Sequence, residues 1–216
     1  MIKMSKTIYL LDIDGVMANP KHRLFYKKSK DYDGFYSSYE ILKDEPIYEF
    51  FPLQYMIFSD SADNSHPIYL ITGRPERTRL ATMQWLQKHI PFMYMKCVNS
   101  KALRMRQDGD HRPSPAVKAE LVTELLGELW KEDDEIIDRF VIIDDDPKNV
   151  IAMKEAIQGY AQIRTAIIPT TCLTMGTHFL LNDCEQNTSY EEEPDTDKKH
   201  RPSLLSAIRE RLSRRH

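Results

Sequence analysis

An α/β fold, a parallel sheet with helices on both faces and a small inserted cap, is predicted by three observations in this 216-residue chain. Short apolar runs recur at residues 8–11, 68–71 and 140–143, and each is stopped by a polar cluster. Helical periodicity fills the intervals between them, and strands that alternate with helices pair in parallel with both faces covered. The stretch from about residue 20 to 63, rich in Tyr, Phe, Lys and Asp, is longer than a crossover needs, which predicts the cap.

The runs IYLL, IYLI and FVII are short, β-branched or aromatic, and bounded by polar residues, as buried strands are. Residues 76–88 place Leu80, Met83 and Leu86 on one stripe, residues 117–130 do the same with Leu121, Leu125 and Leu129, and residues 149–157 form a third helix. Weaker strand signals fall at residues 92–97 and 161–168.

One main domain, residues 1–182, is expected from the length, followed by a charged, flexible tail at 183–216. The first part of that tail, through residue 197, carries seven acids and no Lys or Arg, whereas residues 198–216 carry seven basic residues against Glu210. Within it, residues 202–212 have the spacing of a short amphipathic helix through Leu205, Ile208 and Leu212.

Hydrophobic content of 41%, charged content of 29% and a net charge of −3 are ordinary for a globular chain, and give no global attraction to polyanions. The N-terminal apolar stretch is short and broken by aspartates, so neither a signal peptide nor a membrane span is read there and a cytoplasmic location is expected. Cys97, Cys172 and Cys184 lack the paired spacings of zinc sites and are expected to be reduced thiols.

Four polar clusters fall where strands end or helices begin, the edge at which open α/β sheets collect ligands. Asp12-Ile13-Asp14-Gly15 offers two carboxylates at i and i+2 with a glycine that permits a sharp turn. Thr72-Gly73-Arg74 offers a hydroxyl, backbone N–H groups and a guanidinium, all suited to phosphate. Lys118 stands near the start of the helix that follows Ser114-Pro115. Asp144-Asp145-Asp146 is an acidic knot that calls for a hard cation. Taken singly each has an ordinary explanation, a turn, a cap or a solvated charge; four in this order are hard to obtain by accident.

The order resembles the phosphatase branch of the haloacid dehalogenase superfamily, which carries Asp-x-Asp-Gly, then Ser/Thr, then Lys, then paired acids. A closer similarity, running from about residue 8 to 150, is to the 3′-phosphatase domain of phage-type polynucleotide kinase-phosphatases. It rests on Arg23 eleven residues after Asp12, Gly73-Arg74, Thr82-x-x-Trp85, and the run from Arg106 through Gly109, Asp110 and Arg112 to Lys118. Residues 31–47 look like the cap segment of related stand-alone phosphatases. Three departures stand out: Val16 follows Gly15 where Thr is usual, Ser114 replaces an acid four residues before the lysine, and Asp146 replaces an arginine after the paired acids.

The resemblance implies a haloacid dehalogenase-like, Rossmann-like sheet and a phosphomonoesterase that works through an aspartyl-phosphate. Asp12 would be the nucleophile and Asp14, protonated at first, the general acid and base, with Thr72 and Lys118 completing the catalytic set. Mg²⁺ would be held by Asp12, the backbone carbonyl of Asp14 and Asp144, with Asp145 orienting a water or Lys118. Arg23, Gly73, Arg74, Arg106 and Arg112 would bind substrate, with Arg104 as a further contact to a strand. The expected substrate is a nucleic-acid end bearing a 3′-phosphate in end repair; the alternative is a 5′- or 3′-nucleotidase, since the pI of 6.2 is low for a polynucleotide binder. A third reading, a non-catalytic end-binding module, sits poorly with two intact aspartates. No Gly-x-x-x-x-Gly-Lys-Ser/Thr occurs, so the kinase half is expected to be absent, and a separate kinase or ligase partner is expected instead, with no membrane contact.

Overall fold

The apolar runs form a sheet because each residue in them has a core to enter on one face or the other. The computed structural model describes residues 6–60, 66–98, 101–132, 137–158 and 164–169. In chain order it contains β1 (Lys6–Leu11), β2 (Ala18–Asn19), a 3₁₀ turn (Lys21–Arg23), α1 (Leu24–Lys28), α2 (Tyr32–Phe35), α3 (Ser38–Ile41), β3 (Glu45–Pro46) and α4 (Phe50–Asp60). Then come β4 (Ile68–Pro75), a second 3₁₀ turn (Glu76–Thr78), α5 (Arg79–His89), α6 (Pro91–Val98), β5 (Leu103–Arg106), α7 (Ser114–Glu132), β6 (Ile137–Asp144), α8 (Pro147–Gln158) and β7 (Arg164–Pro169).

Five strands pair in parallel in the order β5-β4-β1-β6-β7. The chain runs outward from β1 through β4 to β5, then returns to the other side of β1 for β6 and β7. This reversal puts a crevice at the carboxyl ends of the central strands. Alternation along β1 builds two cores: Tyr9 and Leu11 face one, with Val141, Ile143, Trp85, Leu86 and Met93, while Ile8 and Leu10 face the other, with Phe140, Ile142, Val122, Leu125 and Met153. Phe50, Leu53 and Ile57 of α4 join the first core, so the last part of the expected insertion packs into the main body.

Two expectations are corrected. Residues 92–97 are not a strand but lie in α6, where Pro91 opens the helix without needing its missing N–H and Met93 and Cys97, four apart, share its buried side. The strand of this region is β5, whose Leu103 and Met105 are buried while Arg104 and Arg106 are half-buried. In α5 the buried face is Ala81, Thr82, Trp85 and Leu86, and Leu80 is 72% exposed. Trp85, the largest side chain of the helix, takes the core position, donates its indole N–H to the Asp44 carbonyl at 2.7 Å, and turns Leu80 outward. The later strand signal corresponds to β7, four strands from β5, while Cys172, Cys184 and the tail lie outside the described residues. Cys97 is buried, and burial pushes its thiol up to about 12.

Local chemistry sets the small helices between β2 and β3, which pair antiparallel at the base of the insertion. Asp31 caps α2 by accepting from Gly34 N at 2.8 Å, and Ser37 caps α3 by accepting from Glu40 N at 3.3 Å. No described helix is long and apolar enough to cross a membrane.

Candidate active site

Asp12 directly follows β1, Asp144 ends β6, and Lys118 lies in the first turns of α7, so three elements converge on one buried point. Lys118 Nζ bridges Asp12 Oδ2 at 2.7 Å and Asp144 Oδ2 at 2.5 Å. Burial pulls the lysine pKa down, but the two carboxylates outweigh it and hold the ammonium charged. Asp144 Oδ1 accepts from Asp146 N and from Asn149 Nδ2, both at 2.9 Å, which locks that carboxylate. Asp146, one of the three departures, caps α8: its Oδ1 accepts from Lys148 N at 2.9 Å, its carbonyl accepts the first helical bonds from Asn149 N and Val150 N, and Pro147 follows it at the first helical position.

One carboxyl and one lysine nitrogen do not complete this centre. Asp12 Oδ1 is buried with no hydrogen-bond partner. Oxygens of Asp12, Asp144 and Asp145 all lie within 4.8 Å of one another. Three carboxyl groups face the single Lys118 ammonium, and burial, opposed by Lys118 and reinforced by Asp144, pushes Asp12 up to about 8. Burial and Asp144 likewise raise Asp145 to about 6. An unsatisfied oxygen in an all-oxygen cluster of three acids beside one lysine fits a hard divalent cation.

Asp14 sits in a second, neutral cluster. Its Oδ1 accepts from Arg23 Nη2 at 2.6 Å and from Arg74 Nη2 at 2.5 Å, while its side chain keeps 20% exposure. Both arginines are fully buried (0%) and are shared with Asp44. Arg23 forks onto Asp44 through Nε and Nη2, both at 2.8 Å, and Arg74 Nη2 reaches Asp44 Oδ2 at 2.7 Å. Two cations and two anions balance. Arg23 also lies over the Phe35 ring at 4.4 Å and donates to the Phe35 carbonyl. Burial favours a neutral Asp14, but Arg74 and Arg23 together hold it below the ordinary carboxylate range. In the free protein Asp14 is therefore a carboxylate, not the protonated acid expected at first, and its Oδ1 is taken up by the two arginines.

The motif Thr82-x-x-Trp85 forms the back wall of this cluster: Thr82 Oγ1 accepts from Arg74 Nη1 at 3.4 Å, and Trp85 holds the Asp44 backbone. Thr72 is buried in β4 and accepts from Arg74 N at 3.3 Å.

Arg106 is turned to structure. Its Nε donates to the Gly73 carbonyl at 3.0 Å and its Nη1 to the carbonyls of Asp110 and Arg112 at 3.1 and 2.6 Å, tying the 107–112 loop to β4. A Cβ built on Gly73 would have Ser114 Oγ at 3.4 Å and Arg106 Nη2 and Tyr36 Oη at 3.7 Å, so these groups ring the second cluster sequence. Arg112 is not brought to the site: it is exposed and pairs with Asp110 at 2.7 Å and with Glu120. Arg104 forks onto Glu128 at 2.9 and 2.7 Å, on the α7 side of β5.

Sequence reading did not single out Asp44, Asn149 or Tyr36. Asn149, at the start of a helix directly after an acidic knot, carried a usable signal. Asp44 carried none, because its partners are 21 and 30 residues away.

Residues 6–158 match the polynucleotide kinase PNKP phosphatase domain. The chain belongs to that family. It is thus a haloacid dehalogenase-like phosphatase. Similar solved structures include Pnkp1 in a Pnkp1/Rnl/Hen1 RNA repair complex, at 18% identity and TM-score 0.46 over 77% of this chain and 43% of that one. The HAD domain of the effector Lem4 from Legionella pneumophila matches at 13% identity and TM-score 0.41, over 77% of this chain and 88% of that one. A class C acid phosphatase from Bacillus anthracis matches at 16% identity and TM-score 0.43, over 78% and 68%. The phosphatase described here spans less than half the length of the Pnkp1 chains it matches. Comparison with curated proteins gives no match.

Proposed function

We propose that this phosphatase is Mg²⁺-dependent, works through an aspartyl-phosphate on Asp12, and removes 3′-phosphates from nucleic-acid ends. The observation that carries the chemistry is the buried, unpartnered Asp12 Oδ1 beside Asp144 and Asp145. Asp12, Asp144, Asp145 and the Asp14 carbonyl would hold the cation, which supplies charge neutralisation for the phosphoryl group. Lys118 orients Asp12 and offers a second cation to the same oxygens. Asp12 attacks phosphorus, the P–O ester bond breaks, and the leaving oxygen takes a proton from Asp14. Because Asp14 starts as a carboxylate, it takes that proton from solvent as the negative phosphate approaches and raises its basicity. Asp14, again a carboxylate, then removes a proton from the water that hydrolyses the acyl phosphate, which frees inorganic phosphate and Asp12. Arg23 and Arg74, expected as substrate ligands, act here by holding Asp14 in place.

Family membership supports the polynucleotide end. A nucleotidase is the second reading, favoured by the pairing of Arg104 and Arg112 with neighbouring acids. Phosphate release from a 3′-phosphorylated oligonucleotide, from nucleoside 3′- and 5′-monophosphates and from an aryl phosphate, each with Mg²⁺ and with chelator, separates the readings. The proposal expects the highest kcat/KM on the oligonucleotide; mononucleotides matching it at low salt would overturn the substrate.

A further inference from the structure

Helix α1 buries none of its residues. Its sequence, Leu-Phe-Tyr-Lys-Lys, leaves Leu24 and Phe25 in solvent, and Phe25 is 57% exposed while its ring packs on Tyr26 with centroids 3.9 Å apart. Of thirteen large hydrophobic side chains exposed among the described residues, nine fall between residues 24 and 58, so the apolar surface is concentrated in this insertion. On α1 it takes the form of the Phe25–Tyr26 pair, where two aromatic rings stack at the surface.

The charge around this pair is positive. Residues 20–30 carry Lys21, Arg23, Lys27, Lys28 and Lys30 and no Asp or Glu, in a chain of net charge −3. Arg23 is taken up internally by Asp14 and Asp44. The four lysines are exposed, and no ion pair joins them to a carboxylate among the described residues. The patch is also anchored at the reaction centre, because α1 begins one residue after Arg23, whose guanidinium touches Asp14. Its far end is fixed as well: Lys30 takes a left-handed turn at φ 60°, Asp31 N donates to the Tyr26 carbonyl at 2.9 Å, and Asp31 caps α2.

We infer that the corner formed by α1 and α2 is a platform for the single-stranded nucleic acid adjoining the scissile phosphate. This rests on the polynucleotide reading above. Phe25 offers a face on which any base can stack, and Lys27 and Lys28 meet backbone phosphates. The aromatic face and the positive charge together favour a stacked polyanion over an apolar protein surface.

The test is anisotropy of a labelled single-stranded 12-mer ending in a 3′-hydroxyl, so binding is read apart from phosphate release. Phe25→Ala should weaken binding at least ~5-fold, the lower end of what one stacked base contributes. Lys27→Gln with Lys28→Gln should weaken it further and reduce the salt slope by about 2. Aryl-phosphate hydrolysis should stay at the wild-type rate in all of them, which also reports folding. Binding unchanged in both variants, absent in the wild type, or equally tight to blunt duplex overturns the platform. Wild-type self-association abolished by Phe25→Ala would overturn it too and make the face a dimer contact. If the strand binds as described but its 3′-phosphorylated form is not hydrolysed, the platform stands and the substrate reading falls.

Discussion

Gly15 and Asp145 occupy one space: a Cβ built on Gly15, at φ +85°, would lie 2.1 Å from Asp145 Oδ2. The turn after Asp14 closes through Gly15 N to the Ala18 carbonyl at 2.8 Å, so the backbone has no room to retreat. Gly15→Ala must displace Asp145 and strain a left-handed residue. A Mg²⁺ titration of activity should show the midpoint weakened ~10- to 100-fold, as when a group supporting a metal is moved. An unchanged midpoint in the folded variant would remove Asp145 from the metal cluster.

Asp12→Asn keeps the shape of a side chain at a strand end and removes the oxygen proposed to attack phosphorus. Turnover of any phosphomonoester should fall by at least ~10³, with the circular dichroism spectrum unchanged. Near wild-type turnover would exclude Asp12 as nucleophile.

Asp44→Asn leaves two buried guanidinium groups sharing one anion where they had two. Breaking a buried pair in this way costs about 3–5 kcal/mol. A urea midpoint lowered accordingly, with kcat reduced on the aryl phosphate because Asp14 is less firmly held, is the expected result. A variant as stable and active as the wild type would show that Phe35 and Thr82 suffice to fix the arginines.

Protons compete with the cation. Burial raises Asp12 to about 8 and Asp145 to about 6 in the metal-free protein, so both bind protons that an unfolded carboxyl releases near 4. Their folded values are raised, so the metal-free protein gains stability from them at low pH and loses it as pH rises toward about 8. Mg²⁺ requires the carboxylates, so its binding must release protons and its affinity, measured by calorimetry in two buffers, should rise from pH 6 to 8 and then level. Affinity independent of pH over that range would falsify the assignment of Asp12 as a ligand.

Much of the site was legible because it lies at strand ends. A run such as IYLL must be buried, and the first residue that cannot be buried alone, Asp12, marks where the sheet meets solvent. The same logic located Asp144, whereas Thr72 lies inside β4, which continues past the apolar run to Pro75. Helix α6 was misread because Phe92, Met93 and Tyr94 suit a strand by composition, while the four-residue spacing of Met93 and Cys97 and the leading Pro91 decide for a helix.

The sequence by itself determined which groups are present, their order, and the sheet edge on which they gather, because alternation, helical spacing and polar stops are local properties of the chain. Only tertiary structure decided their partners. That Arg23 and Arg74 close on Asp14 and Asp44 rather than on solvent, that Arg106 spends its N–H groups on backbone carbonyls, and that Asp12 Oδ1 is left unsatisfied depend on contacts between segments from a few to sixty residues apart. A guanidinium looks the same in sequence whether it meets phosphate, carboxylate or carbonyl. Burial and distance, which arise only when the strands assemble, choose among them.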